Sequence, residues 1–165
     1  FRPYASPDVI GAEIGGVVKN VLAIACGVVE GAGLGQNARA ALIARGFAEM
    51  VRYGLARGGQ LETLTGLAGL GDLVLTCSSS SSRNFSFGRG LGEGKLAADL
   101  LADRRTVAEG AFSAAILVSD AKARGVDMPI CDAVARLVAG EAAARAVIGE
   151  LLARPLNREG WARLG

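Results

Sequence analysis

Lys19 stands inside GGVVKNVLAIACGVV, residues 15–29, an apolar stretch with no other charged side chain between Glu13 and Glu30. On a helix, Gly15, Gly16, Lys19, Ala23 and Cys26 share one face. A long ammonium side chain rising from such small residues sits in a closely approachable, cleft-like setting, which suits a general acid–base. The alternative is a lysine that lays its stem on the apolar surface and keeps its head in water. Asp72 is the lone charge of GLAGLGDLVLTC. If buried, it needs a partner, and Lys19 or Arg83 would serve; equally, it could cap a helix. Ser82, Arg83 and Asn84 place a hydroxyl, a planar guanidinium and an amide in consecutive positions, a set suited to a phosphate with neighbouring hydroxyls. An ordinary polar loop is the other reading. Glu109, in TVAEG, can accept from a ribose or an amide, or cap the helix that follows.

Other chemistries are excluded by composition. The chain has no histidine, which removes Ser-His-Asp triads and His-ligated metals. Cys26, Cys77 and Cys131 are far apart and form no CxxC, so neither a metal site nor a disulfide framework is expected. Buried thiols in a reducing cytoplasm fit best. The glycine-rich runs GAGLGQ (31–36) and GRGLGE (88–93) both miss the GxGxxG pattern at the last position, and no GxxxxGK[ST] is present. Net charge is +2 with the charges scattered, so no nucleic-acid partner is expected.

These side chains need elements to position them. The length, 165 residues, fits about one domain. Half the residues are hydrophobic but only 5% are aromatic, which favours closely packed helices of Ala, Leu, Val and Ile. Pro3 and Pro7 keep residues 1–8 extended. Asp8 is placed to cap a helix over 9–30, and Asn37 to cap one over 38–57. Residues 61–77 read as two short helices with a kink, and 78–95 as a Ser- and Gly-rich segment, either a flexible linker or an ordered loop facing a ligand. Further helices are predicted at about 95–103, 110–124, 129–138 and 140–153. The expected fold class is all-α. Glu13 and Glu30 bracket a run too short for a membrane span, so a buried helix is expected there. The chain opens on Phe1 without a basic region and apolar core of a signal peptide, and reads as a fragment.

Taken together, GAEIGGVVKNVLAIACGVVEGAGLGQNARAALIARGFAEM, then GLAGLGDLVLTC, SRN and TVAEG, resemble in order the C-terminal domain of bacterial-type NAD(P)-dependent glycerol-3-phosphate dehydrogenases, over roughly residues 1–157. The resemblance implies an all-α multi-helix domain, similar to the C-terminal domain of 6-phosphogluconate dehydrogenase. Residues 1–8 would be a strand or linker remnant of an N-terminal Rossmann domain, and 9–165 the substrate-binding domain. It implies interconversion of sn-glycerol 3-phosphate and dihydroxyacetone phosphate, feeding phospholipid synthesis, in the cytoplasm. NAD or NADP would be bound mainly by the N-terminal domain, without which the chain would be inactive. Position by position, it implies Lys19 as the catalytic acid–base and Lys19, Asp72, Ser82, Arg83 and Asn84 as substrate-binding. Arg83, Val107 and Glu109 would face the cofactor. Two departures stand out: SSSSS precedes SRN where a more varied segment is usual, and FSFG follows it where a basic residue is common.

Two other readings remain open at this level. One is the helical domain of a β-hydroxyacid dehydrogenase, against which Ala23 counts, since Asn is usual four residues after that family's lysine. The other is a non-catalytic helical dimerisation module, in which Lys19, Asp72 and Arg83 would not converge. Homodimerisation is compatible with both the enzyme and the module readings.

Overall fold

The computed structural model describes residues 4–102 and 108–153, and among them every regular element is helical. In chain order these are α1 (Val9–Gly31), α2 (Gly35–Ala56), α3 (Leu61–Thr65), a π-helical turn (Leu67–Gly71) and α4 (Asp72–Ser78). They are followed by α5 (Arg83–Gly92), α6 (Ala97–Ala102), α7 (Glu109–Ala123), α8 (Pro129–Val138) and α9 (Ala144–Leu152).

The central element is α1. A helix that is apolar on all sides must be enclosed. Accordingly α2, α4, α5, α7 and α8 all pack on α1. Val18, Val21, Leu22, Ala23, Ile24 and Cys26 are fully buried there. By length and a mean hydropathy of 1.7 it would also be able to cross a bilayer; here its apolar surface forms the core. As expected, Asp8 caps it: Oδ1 accepts from the Gly11 N–H at 2.8 Å and Oδ2 from the Gln60 N–H at 2.8 Å. Those two backbone donors hold the Asp8 carboxyl below its usual range. Its contribution is therefore present at neutral pH and lost as the pH falls through that lowered value.

Residues 78–95 depart from the sequence expectation. Most of this segment is the ten-residue helix α5, with Ser82 as its N-cap. Its glycines serve packing. A Cβ at Gly88 would lie 1.9 Å from the Ile24 carbonyl oxygen, and one at Gly27 would lie 2.1 Å from that of Phe85. The backbones of α1 and α5 therefore touch, and a side chain at either position would force them apart. Gly88→Ala is expected to destabilise the fold by about 3 kcal/mol or more, as overpacking against backbone does; urea denaturation of parent and variant measures it.

Asn37 does not cap α2. That helix begins earlier, at Gly35, after Leu34, with no side-chain cap. Gly33 and Gly35 adopt φ of 71° and 83°, a conformation that lets the chain turn from α1 directly into α2. All three cysteines are free and buried. A hydrogen bond with Cys26, then burial, raises the Cys77 thiol above its ordinary value; burial raises that of Cys131.

Candidate functional site

The site is assembled on α1. Gly15 lets the π-helical turn lie flush on this helix: a Cβ there would be 2.4 Å from the Ala68 carbonyl oxygen. Asp72 follows that turn immediately, as the first residue of α4. One turn along α1 from Gly15, Lys19 forms a hydrogen-bonded ion pair with Asp72 through Nζ and Oδ2. Of the partners left open by sequence, Lys19 is the one Asp72 takes, and Gly71 rather than Asp72 occupies the cap position of α4. The other carboxylate oxygen, Oδ1, accepts from the Thr76 hydroxyl at 3.3 Å. Asp72 is thus held at both oxygens. Thr76 was not singled out from sequence, although its place four residues after Asp72 on a helix is the spacing at which side chains meet.

The pair is not sealed. The Lys19 and Asp72 side chains keep 21% and 35% of their surface exposed, so a ligand can reach them. Beside them Gly16 has nothing within 4 Å of where a Cβ would stand, which leaves the helix surface bare.

The Ser82-Arg83-Asn84 tripeptide divides its work. The Ser82 hydroxyl oxygen accepts from the Phe85 N–H at 3.3 Å, capping α5; its proton stays available for a ligand. Arg83 is exposed and pairs with no carboxylate among the described residues. Asn84 turns inward, is buried, and accepts through Oδ1 from the Gly110 N–H of α7 at 2.9 Å. Gly110 in turn lies against Asn20, the neighbour of Lys19: a Cβ there would be 2.6 Å from the Asn20 carbonyl oxygen. Glu109 is exposed and opens α7, with Ala108 in the cap position. Its carboxylate is in the first turn, where the helix dipole favours a negative charge. Val107 lies outside the described residues. The structure therefore brings Lys19 and Asp72 into direct contact. It also links α5 and α7 to α1 at the residue after Lys19.

Among the described residues no group of three or more acidic or cysteine side chains is arranged to hold a metal ion. A cavity of about 260 Å³ lies away from this site, between α7, α8 and α9.

This arrangement has relatives. Residues 8–149 match the family model described as the C-terminus of NAD-dependent glycerol-3-phosphate dehydrogenase. The chain belongs to that family. It is 69% identical to glycerol-3-phosphate dehydrogenase [NAD(P)+] 1 of Sphingopyxis alaskensis over 97% of its own length, and 72% identical to the enzyme of Erythrobacter litoralis over 96%. In both cases it spans 48% of the relative, so the chain corresponds to about half the length of the curated relatives it matches. Among solved structures it superimposes on glycerol-3-phosphate dehydrogenase from Coxiella burnetii with a TM-score of 0.89 and 45% identity, covering 93% of this chain and 47% of that one. The yeast Saccharomyces cerevisiae enzyme gives 0.80 and 30%, with coverage of 93% and 46%. The all-α architecture expected from sequence is thus that of a glycerol-3-phosphate dehydrogenase C-terminal domain.

Proposed function

We propose that this chain is the substrate-binding and catalytic half of an NAD(P)-dependent dehydrogenase that interconverts sn-glycerol 3-phosphate and dihydroxyacetone phosphate. The observation that carries this reading is the Lys19–Asp72 pair: fixed by Thr76, partly open to solvent and set on a bare helix face. Family membership favours the phosphorylated substrate over a hydroxyacid.

The residues present fit a dinucleotide at the rim rather than in a cradle. The chain has no complete glycine fingerprint, while Arg83 and Glu109 are both exposed, one at the start of α5 and the other at the start of α7. We assign the remaining contacts to an upstream half like that of the relatives, the partner this domain requires. A dinucleotide held there would supply the hydride chemistry at the substrate's C2. Lys19, held by Asp72, gives a proton to the ketone oxygen in reduction and takes the hydroxyl proton in oxidation. Arg83 offers a planar fork of donors to the substrate phosphate. Asp72→Asn would lose the ion pair while keeping an acceptor for Thr76. Displacement of the ammonium is expected to lower kcat/KM on the order of 100-fold, the scale of a misplaced catalytic group.

The test joins the chain to the upstream half that its relatives carry and follows NADH and NADPH oxidation with dihydroxyacetone phosphate. Turnover by the joined protein, and none by the 165-residue chain alone, is the expected result. A joined protein that ignores dihydroxyacetone phosphate but reduces a 3-oxo carboxylate would overturn the substrate assignment.

A further inference from the structure

We infer that Asn84 is a positioning residue for the cofactor side of the site: its carboxamide caps α7 from outside and so fixes where Glu109 stands. This deepens the dehydrogenase reading and rests on it. The first turn of a helix leaves backbone N–H groups without intrahelical partners. The cap position of α7 is Ala108, whose side chain offers no acceptor. Asn84 fills that role across the fold, accepting from the Gly110 N–H at 2.9 Å in a buried contact. The bond is oriented by packing on both sides. Asn84 is buried on α5, next to the exposed Arg83. Gly110 sits so close to the Asn20 carbonyl that a Cβ would lie 2.6 Å from its oxygen. One hydrogen bond therefore ties the residue after Arg83 to the residue after Glu109, and close packing sets the latter against the residue after Lys19.

The consequence separates two roles for Asn84. If its amide acts mainly on the substrate, its loss is felt when dihydroxyacetone phosphate binds. If it acts mainly by holding the start of α7, its loss is felt by the dinucleotide before any substrate is present. The Oδ1 committed to Gly110 supports the second role, while the two Nδ2 donors leave the first chemically open, so the NADH measurement separates them.

The experiment measures the NADH dissociation constant by fluorescence, without substrate, in the joined protein. It compares the parent with Asn84→Leu, Asn84→Asp and Glu109→Ala, and thermal unfolding is followed alongside. Asn84→Leu removes the acceptor at similar volume. It is expected to weaken NADH about tenfold, the scale of one buried hydrogen bond. Asn84→Asp keeps an acceptor for Gly110 and is expected to stay within about threefold of the parent. Glu109→Ala, at an exposed position, is expected to weaken NADH like the leucine variant and decides the matter if that variant does not fold. Parent-like NADH affinity in Asn84→Leu, or in Glu109→Ala, overturns the inference. A parent that binds NADH but does not turn over dihydroxyacetone phosphate would instead remove the dehydrogenase reading.

Discussion

Lys19→Ala, in the chain joined to the upstream half that its relatives carry, is expected to lower kcat for dihydroxyacetone phosphate reduction by about 100- to 10,000-fold, with KM nearly unchanged. The loss falls on kcat because the proton is needed only as the oxygen gains charge at the transition state. In the proposed site, substrate binding is assigned chiefly to Arg83 and the residues around it. Lys19→Arg separates proton transfer from charge. A guanidinium keeps the positive charge beside Asp72 but does not give up a proton, so this variant is expected to be within about tenfold of the alanine variant in kcat. Near-parent activity in Lys19→Arg would show that the site needs only a positive charge. Steady-state kinetics of the three proteins at saturating NADH reads the difference.

The second large effect is on stability, and it comes from Glu49 of α2. This carboxyl is 1% exposed. Its Oε1 accepts from the Ile130 N–H at 2.7 Å and its Oε2 from the Cys131 N–H at 3.2 Å. It thereby caps α8, whose own cap residue, Met128, supplies no side-chain hydrogen bond. Burial pushes the Glu49 carboxyl up from 4.5 to about 7, against the pull of those two backbone donors. Between these values the native state holds a proton that the unfolded chain has released, so stability falls as the pH rises from about 4.5 to about 7. A rise of about 2.5 units corresponds to roughly 3 kcal/mol across that window. The carboxylates held low, Asp8 and Asp120, act at more acid pH and in the opposite sense. Asp120 is drawn down to about 2 by Arg124 and then the Tyr53 hydroxyl. Glu49→Gln is expected to flatten the slope above pH 4.5. Glu49→Ala, which leaves two buried N–H groups unpaired and a void, is expected to cost about 3 kcal/mol or more at pH 5. Urea denaturation at a series of pH values gives both numbers; a parent stability flat from pH 4.5 to 7 would contradict the assignment.

The central helix was legible because a stretch apolar on every side has one stable place in a packed domain, and Asp8 marks its start. The same pattern isolated Lys19, and the lone charge at Asp72 pointed to its partner. Helix α5 was harder to read. Composition alone makes SSSSSRNFSFGRGLG a loop, since Ser and Gly disfavour helix on their own account. What makes it helical is contact: Gly88 and Gly92 are four apart, as are Gly27 and Gly31, so two smooth ridges meet. That matched spacing was present in the sequence but has meaning only once the two segments are paired. The Glu49 cap and the Asn84 cap were not legible. Each joins residues far apart in the chain, 81 and 26 positions respectively, and a carboxylate or amide on a helix says nothing about which distant helix end it will serve. The π-helical turn that delivers Asp72 to Lys19 also left no sequence mark beyond its glycines.

The measurement that tests the account most directly is the single-turnover rate of hydride transfer. NADH absorbance is followed after mixing joined parent or Lys19→Ala, pre-saturated with NADH, with saturating dihydroxyacetone phosphate. Binding and product release drop out of this rate, so it reports the chemical step alone. If Lys19 delivers the proton, the alanine variant transfers hydride about 100- to 10,000-fold more slowly than the parent. If the two rates agree, the Lys19–Asp72 pair is not the acid–base of this site and the catalytic role assigned to it is wrong.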